Sequence, residues 1–178
     1  MTSPTELKEQ GLAAHRAERL SEAAEKFTEA AQAFEAAGER GAAAEMRNNL
    51  CVVKMAEEDW EAAIAAVEPT PAIFHALGDA MREAQATANL AAAHDGAGHD
   101  TVAMDLYQQA IDQFGELGEK DTRAACFKKL SGLQIKHGQQ MQALASMRSG
   151  LNLTTELSPK EKALKGMLNQ ALKMIGRG

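Results

Sequence analysis

Residues Asn89–Asp121 read NLAAAHDGAGHDTVAMDLYQQAIDQFGELGEKD. An alanine-rich helix runs into a Gly/His/Asp turn, and a second helix follows and stops at Leu117-Gly118. The same construction recurs along the chain, shifted by forty residues each time. Ala23, Ala63, Ala103 and Ala143 share one phase of that register, and Phe27, Val67, Tyr107 and Met147 share the phase four residues on. Gly38, Gly78 and Gly118, then Ser158, close the units. A fixed period of this size indicates stacked supersecondary units, each hiding its apolar face against the next.

Composition agrees with that reading. The chain has 178 residues, enough for a substantial core in one domain over residues 1–178. Hydrophobic residues make up 45%, much of it alanine, while aromatics are only 4%. Small side chains let helices approach closely, whereas sheet cores lean on β-branched and aromatic residues. The expectation is all-α. A net charge of −6 argues against nucleic acid as a partner, because phosphate neutralisation needs a basic surface. No apolar run approaches the roughly 18 residues of a spanning helix, so no membrane partner is expected. The start, MTSPTELKEQ, has no basic segment followed by an apolar one, and a cytoplasmic protein is the default expectation. Cys51 and Cys126 lie inside helical patterns and read as buried free thiols rather than a disulfide or metal pair.

Taken in order, a first helix is expected near Pro4, with Ser3 as cap and Glu6 completing a capping box. Leu7, Gly11 and Ala14 face its partner, a helix over about 20–37 whose Ala23, Ala24, Phe27, Ala30, Ala31 and Phe34 form one stripe. Gly38 ends it. The next unit carries Met46, Leu50, Cys51 and Val53, turns at EEDW, and continues through Trp60, Ala63, Ile64 and Val67. Its EPTP at Glu68–Pro71 interrupts the helix, since each interior proline costs about 3 kcal/mol. The helix is expected to break near Val67 and resume at Pro71, with Thr70 as cap. The fourth unit carries Cys126, Leu130 and Leu133, turns at KHGQQ, and runs through Ala143, Leu144, Met147 and Leu151 to Leu157. Ser158-Pro159 then opens a final helix with Glu161 in its first turn and Leu164, Met167, Leu168, Ala171, Leu172 and Ile175 on one face.

These units resemble tetratricopeptide repeats. The family's Leu-Gly-like pair falls at Gln10-Gly11, Leu50-Cys51, Leu90-Ala91 and Leu130-Ser131. Its Ala with a large residue four on falls at Ala23/Phe27, Ala63/Val67, Ala103/Tyr107 and Ala143/Met147. The later small position holds Ala30, Thr70, Ala110 and Gly150, and Gly98 and Gly138 mark the inner turns. Family repeats are usually about 34 residues long. The forty-residue length and the Leu77-Gly78-Asp79 ending resemble the subclass found in spindle-orientation adaptors, rapsyn and kinesin light chain. Aromatics are missing at many consensus positions. Two-helix solenoids such as HEAT repeats share a similar period, but the Ala-x3-large spacing disfavours them. The resemblance implies a right-handed superhelix, an α-solenoid of four helical hairpins (about 4–41, 42–81, 82–121 and 122–158) plus a capping helix over 159–176.

The resemblance also implies a non-enzymatic adaptor or scaffold. A peptide or helix of a partner protein would bind in a concave groove lined by the first helix of each unit. The groove candidates are Lys8, Leu12, Asn48, Asn49, Val52, Gln85, Asn89, Ala92, Lys128 and Lys129. Asn49 and Asn89 share a phase, and in the subclass an Asn there grips the ligand's main chain. An amide suits that role because it both donates and accepts. Arg123, Lys128, Lys129 and Lys136 form a basic cluster that would favour an acidic ligand segment, or else a solvated face. Some family members clamp the terminal carboxylate of heat-shock chaperones. Here only Lys8 and Asn49 match that set, with Leu12, Gln85 and Asn89 standing where Asn and two basic residues are needed, so such tails are not expected to bind.

No catalytic residue, cofactor or metal ligand is assigned. His94, Asp95, His99 and Asp100 form the densest polar cluster, but the histidines are five apart across a turn and match no helical metal motif. A metal or enzymatic role at that turn is the remote alternative. Self-assembly into a homo-oligomer without a groove ligand is the nearer one, and the sequence leaves both monomer and homo-oligomer open.

Overall fold

The computed structural model describes residues 2–175. The expected end of the last helix at 176 and the Ile175 side chain lie outside what is described. Among the described residues there are ten α-helices and no strand. They are α1 (Pro4–Arg16), α2 (Leu20–Ala36), α3 (Arg40–Ala56), α4 (Trp60–Val67), α5 (Thr70–Ala76), α6 (Ala80–Gly96), α7 (Asp100–Leu117), α8 (Lys120–Lys136), α9 (Gln140–Leu153) and α10 (Pro159–Ile175). None among the described residues is long and apolar enough to cross a membrane.

Local chemistry sets where the helices stop. At the end of α2, Gly38 takes φ +77°. Its N–H donates to the Glu35 carbonyl at 3.0 Å, and the Glu39 N–H donates to the Phe34 carbonyl at 2.9 Å. This pair of bonds satisfies carbonyls that the helix leaves open, and it needs a left-handed residue. The same two bonds recur wherever a left-handed residue stands, at positions 18, 38, 58, 78, 98, 118 and 138. The forty-residue period is therefore two twenty-residue steps. At 18 and 58 the left-handed residue is a glutamate, with φ +57° and +58°.

Helix starts are equally local. Ser3 and Glu6 close the expected capping box: the Ser3 N–H donates to Glu6 Oε2 at 2.8 Å and the Glu6 N–H donates to Ser3 Oγ at 3.2 Å. Ser158 and Glu161 repeat it at the start of α10, at 2.8 and 3.3 Å. In both boxes the serine bonds hold the glutamate below its ordinary pKa: the backbone bond leads at Glu6, the hydroxyl bond at Glu161.

The break at EPTP falls where expected, between α4 and α5, but Thr70 does not cap the second piece. Its hydroxyl donates backwards to the Val67 carbonyl at 2.8 Å, and the side chain is fully buried. In a continuous helix that carbonyl would accept from residue 71, which is a proline and has no N–H. The threonine replaces the missing donor.

The contacts divide the chain into two compact units, Met1–Ala103 and Met104–Gly178. In the first, α1 packs on α2, α2 on α3, α3 on α4 and α5, and α6 on α3, α4 and α5. Its core holds Leu7, Phe27, Phe34, Met46 and Val53 among buried alanines, with Leu12 and Leu50 packed against it. Helices come together over small residues. A Cβ on Gly11 would stand 2.8 Å from the Phe27 ring, and one on Gly96 would collide with the Trp60 ring.

In the second unit, α8 packs on α9 and α9 on α10. Tyr107, Ile111 and Phe114 of α7 and Leu130 and Leu133 of α8 are buried. Two expectations are corrected here. α9 ends at Leu153, short of Leu157, because Thr154 is extended (ψ 122°) and its hydroxyl bonds back to the Gly150 carbonyl at 3.1 Å. β-branched residues whose hydroxyls compete for backbone groups favour such an exit. On α10, Leu168 is buried but Met167 is 69% exposed. With α9 as its described neighbour in this unit, α10 covers a narrower stripe than a helix packed on two sides would.

Candidate partner-binding face

In the first unit, α1, α3 and α6 present a shared polar surface. Lys8 Nζ on α1 pairs with Glu45 Oε1 on α3 at 2.7 Å, and Glu45 Oε2 lies 3.6 Å from Arg82 Nη2 on α6. Three residues along, Asn89 Nδ2 donates to Asn48 Oδ1 at 3.1 Å. Each of these side chains is half-buried except that of Arg82, which is exposed. Asn49, Val52, Ala92 and Leu12 are half-buried on the same helices, and Gln85 is exposed.

The register of this surface is offset by one residue from the forty-residue period at the asparagines. Asn89 bonds to Asn48, not to the residue forty positions earlier. The offset between packed helices, rather than the repeat period, decides which side chains meet. The Asn48–Asn89 bond uses one donor and one acceptor site, and the amide inventory leaves the Asn89 oxygen and the Asn48 N–H groups to solvent or a ligand. Arg82 was not among the groove candidates. A signal for it exists: Lys8, Glu45 and Arg82 are thirty-seven residues apart in turn, with alternating charge.

Lys128 and Lys129 are exposed on α8, in the second unit. The basic cluster around them is dispersed. Arg123 turns back onto α7, where a Cβ on Gly115 would stand 2.8 Å from its Cζ, and it lies 5.8 Å from the centre of the Phe127 ring. Lys128 faces the other way, close enough for its charge to lower the Glu161 pKa. Sequence reasoning did not find the cleft of about 410 Å³ that lies beside Lys128, between α8, α9 and α10.

At the turn between α6 and α7, His94 and His99 approach with their Nδ1 atoms 3.1 Å apart. Burial, and then the neighbouring His99 charge, push the His94 pKa down against the pull of Glu68 and Glu61. Among the described residues, no three His, Cys, Asp or Glu side chains are grouped to hold a metal ion. Cys51 and Cys126 are buried, and burial raises their thiols to about 12 and about 11.

The fold and these surfaces define an all-α protein of packed neighbouring helices. No family model matches the chain, and no curated protein matches it.

Proposed function

We propose that this chain is a tetratricopeptide-type α-solenoid whose first helices form the binding surface of a non-enzymatic adaptor. The single observation that carries the reading is the continuity of α1, α3 and α6 through the Lys8–Glu45–Arg82 and Asn48–Asn89 contacts. Such a surface can engage a peptide or helix of a partner protein: amides serve its backbone, and the half-buried Val52 and Ala92 serve its apolar side chains. An acidic ligand segment would fit Lys129 and Lys128. A cytoplasmic setting belongs to the same reading and agrees with two buried free thiols.

The test is partner capture by the full chain against the Asn49→Ala/Asn89→Ala double variant, with Asn48→Ala as a third arm. Loss of capture with unchanged helical circular dichroism supports the surface. Capture that persists in both variants removes it.

A second reading has its own observation. Met167 and Met174 on α10 are 69% and 70% exposed, and exposed apolar residues on a terminal helix suit self-association. Light scattering at several concentrations separates the two readings, because the adaptor has no need to oligomerise.

A further inference from the structure

The turn between α6 and α7 sets two imidazoles side by side. Gly98 takes φ +78°, and the His99 N–H donates to the His94 carbonyl at 2.9 Å. That backbone bond holds residues five apart next to each other. The equivalent turn after α3 does the same to Lys54 and Asp59, whose Nζ and Oδ2 lie 3.9 Å apart. Helical spacing plays no part, which is why the pair matches no helical metal motif. His94 Nδ1 and His99 Nδ1 stand 3.1 Å apart, with ring centroids at 5.3 Å and planes 50° apart. In the metal-free turn, a proton on one Nδ1 that the other accepts accounts for the contact.

The same spacing suits a metal ion. With metal–nitrogen bonds of about 2.0–2.1 Å, two nitrogens 3.1 Å apart subtend about 100° at the ion. That lies between the right angle of a tetragonal site and the tetrahedral angle. The ion sits off the line joining the nitrogens, so the rings must tilt, and the exposed His99 has room to do so. The proton between the two Nδ1 atoms moves through solvent to Nε2 of its own ring, leaving two neutral imidazoles as ligands. Among the described residues no third His, Cys, Asp or Glu side chain is grouped with them to hold an ion, so water completes the coordination. Mg²⁺ and Ca²⁺, which take oxygen ligands, gain little here.

We propose that His94 and His99 bind one divalent transition-metal ion, of the nickel, copper and zinc class, through both Nδ1 atoms. The Cys51 and Cys126 thiols are buried and do not compete for it. Glu61 and Glu68 lie close enough for their charges to act on His94, and they add attraction without being ligands. None of the groove candidates takes part, so either proposal survives failure of the other.

The experiment uses the whole untagged protein and Cu²⁺, read by the fluorescence of Trp60. This is the chain's one tryptophan, and its ring lies against the same turn, where a Cβ on Gly96 would collide with it. Cu²⁺ should quench it saturably with one ion per chain, and excess Zn²⁺ should relieve the quenching while Mg²⁺ does not. His99→Ala, at an exposed position, and His94→Ala should each weaken binding at least about tenfold with circular dichroism retained, since even groups that only orient a ligand are worth that much. The His15→Ala/His75→Ala/His137→Ala triple variant and the Glu61→Gln/Glu68→Gln double variant should still bind one ion. The proposal is overturned if quenching does not saturate at one ion per chain, if Mg²⁺ displaces Cu²⁺, if folded His99→Ala binds as tightly as the parent, or if either multiple variant loses the site.

Discussion

The two glutamates at left-handed positions are the residues least suited to their places. Glu18 and Glu58 take φ +57° and +58° at turns that glycine occupies elsewhere in the chain. A side chain in that region costs roughly 1–2 kcal/mol, partly recovered because glycine loses more freedom on folding. Glu58→Gly should therefore raise stability by about 1 kcal/mol, measured as a higher urea midpoint at unchanged slope. The thiols give a second expectation. With pKa values raised to about 12 and about 11, Cys51 and Cys126 hold almost no thiolate near neutrality, and Ellman's reagent should react only as the chain opens. The sign of the linkage follows. The unfolded thiols lose protons first, near their ordinary 9.0, so stability is full below pH 9 and declines from there toward 11–12. Reaction of both thiols in the folded protein at pH 8, at the rate seen in urea, would contradict this.

Among the elements, the α4–α5 break shows how a proline is accommodated. Pro71 cannot donate to the Val67 carbonyl, and the buried Thr70 hydroxyl does so instead at 2.8 Å. Thr70→Val keeps the shape and removes the donor, leaving a carbonyl without its partner in a buried site. The loss should be about 1–3 kcal/mol by chemical denaturation; a variant as stable as the parent would show that the hydroxyl is dispensable. The break was legible in EPTP, because two prolines disrupt a helix wherever they occur. The direction of the threonine bond was not, because a hydroxyl at a helix junction can serve either side, and here the side chain is fully buried and bonds backwards.

At the scale of the whole molecule, side chains far apart in sequence join neighbouring helices. Lys8 and Glu45 are thirty-seven residues apart in sequence and 2.7 Å apart in space. Lys8→Glu should cost up to about 1 kcal/mol, with a cost that shrinks as salt rises, since both side chains are only partly buried. Adding Glu45→Lys should recover part of it but not all. Arg82, 3.6 Å from Glu45, would then face a like charge. Full recovery in a double-mutant cycle would mean that Arg82 takes no part in the row.

What the amino-acid order settled by itself is local: the helices, their serine caps, the glycine stops, the proline break and the buried stripes of α1 and α2. Each follows from the conformational preferences of a few neighbouring residues. The left-handed turns at 18 and 58 were within reach too, had the period been halved to twenty. Tertiary packing alone decided that Asn89 meets Asn48, that Arg123 and Lys128 turn to opposite neighbours, that Met167 stays exposed, and that three helices of the second unit leave a cleft. Helical periodicity says which face a residue occupies. How far one helix slides and rotates against the next depends on interlocking side chains distant in sequence, and that offset determines which groups touch.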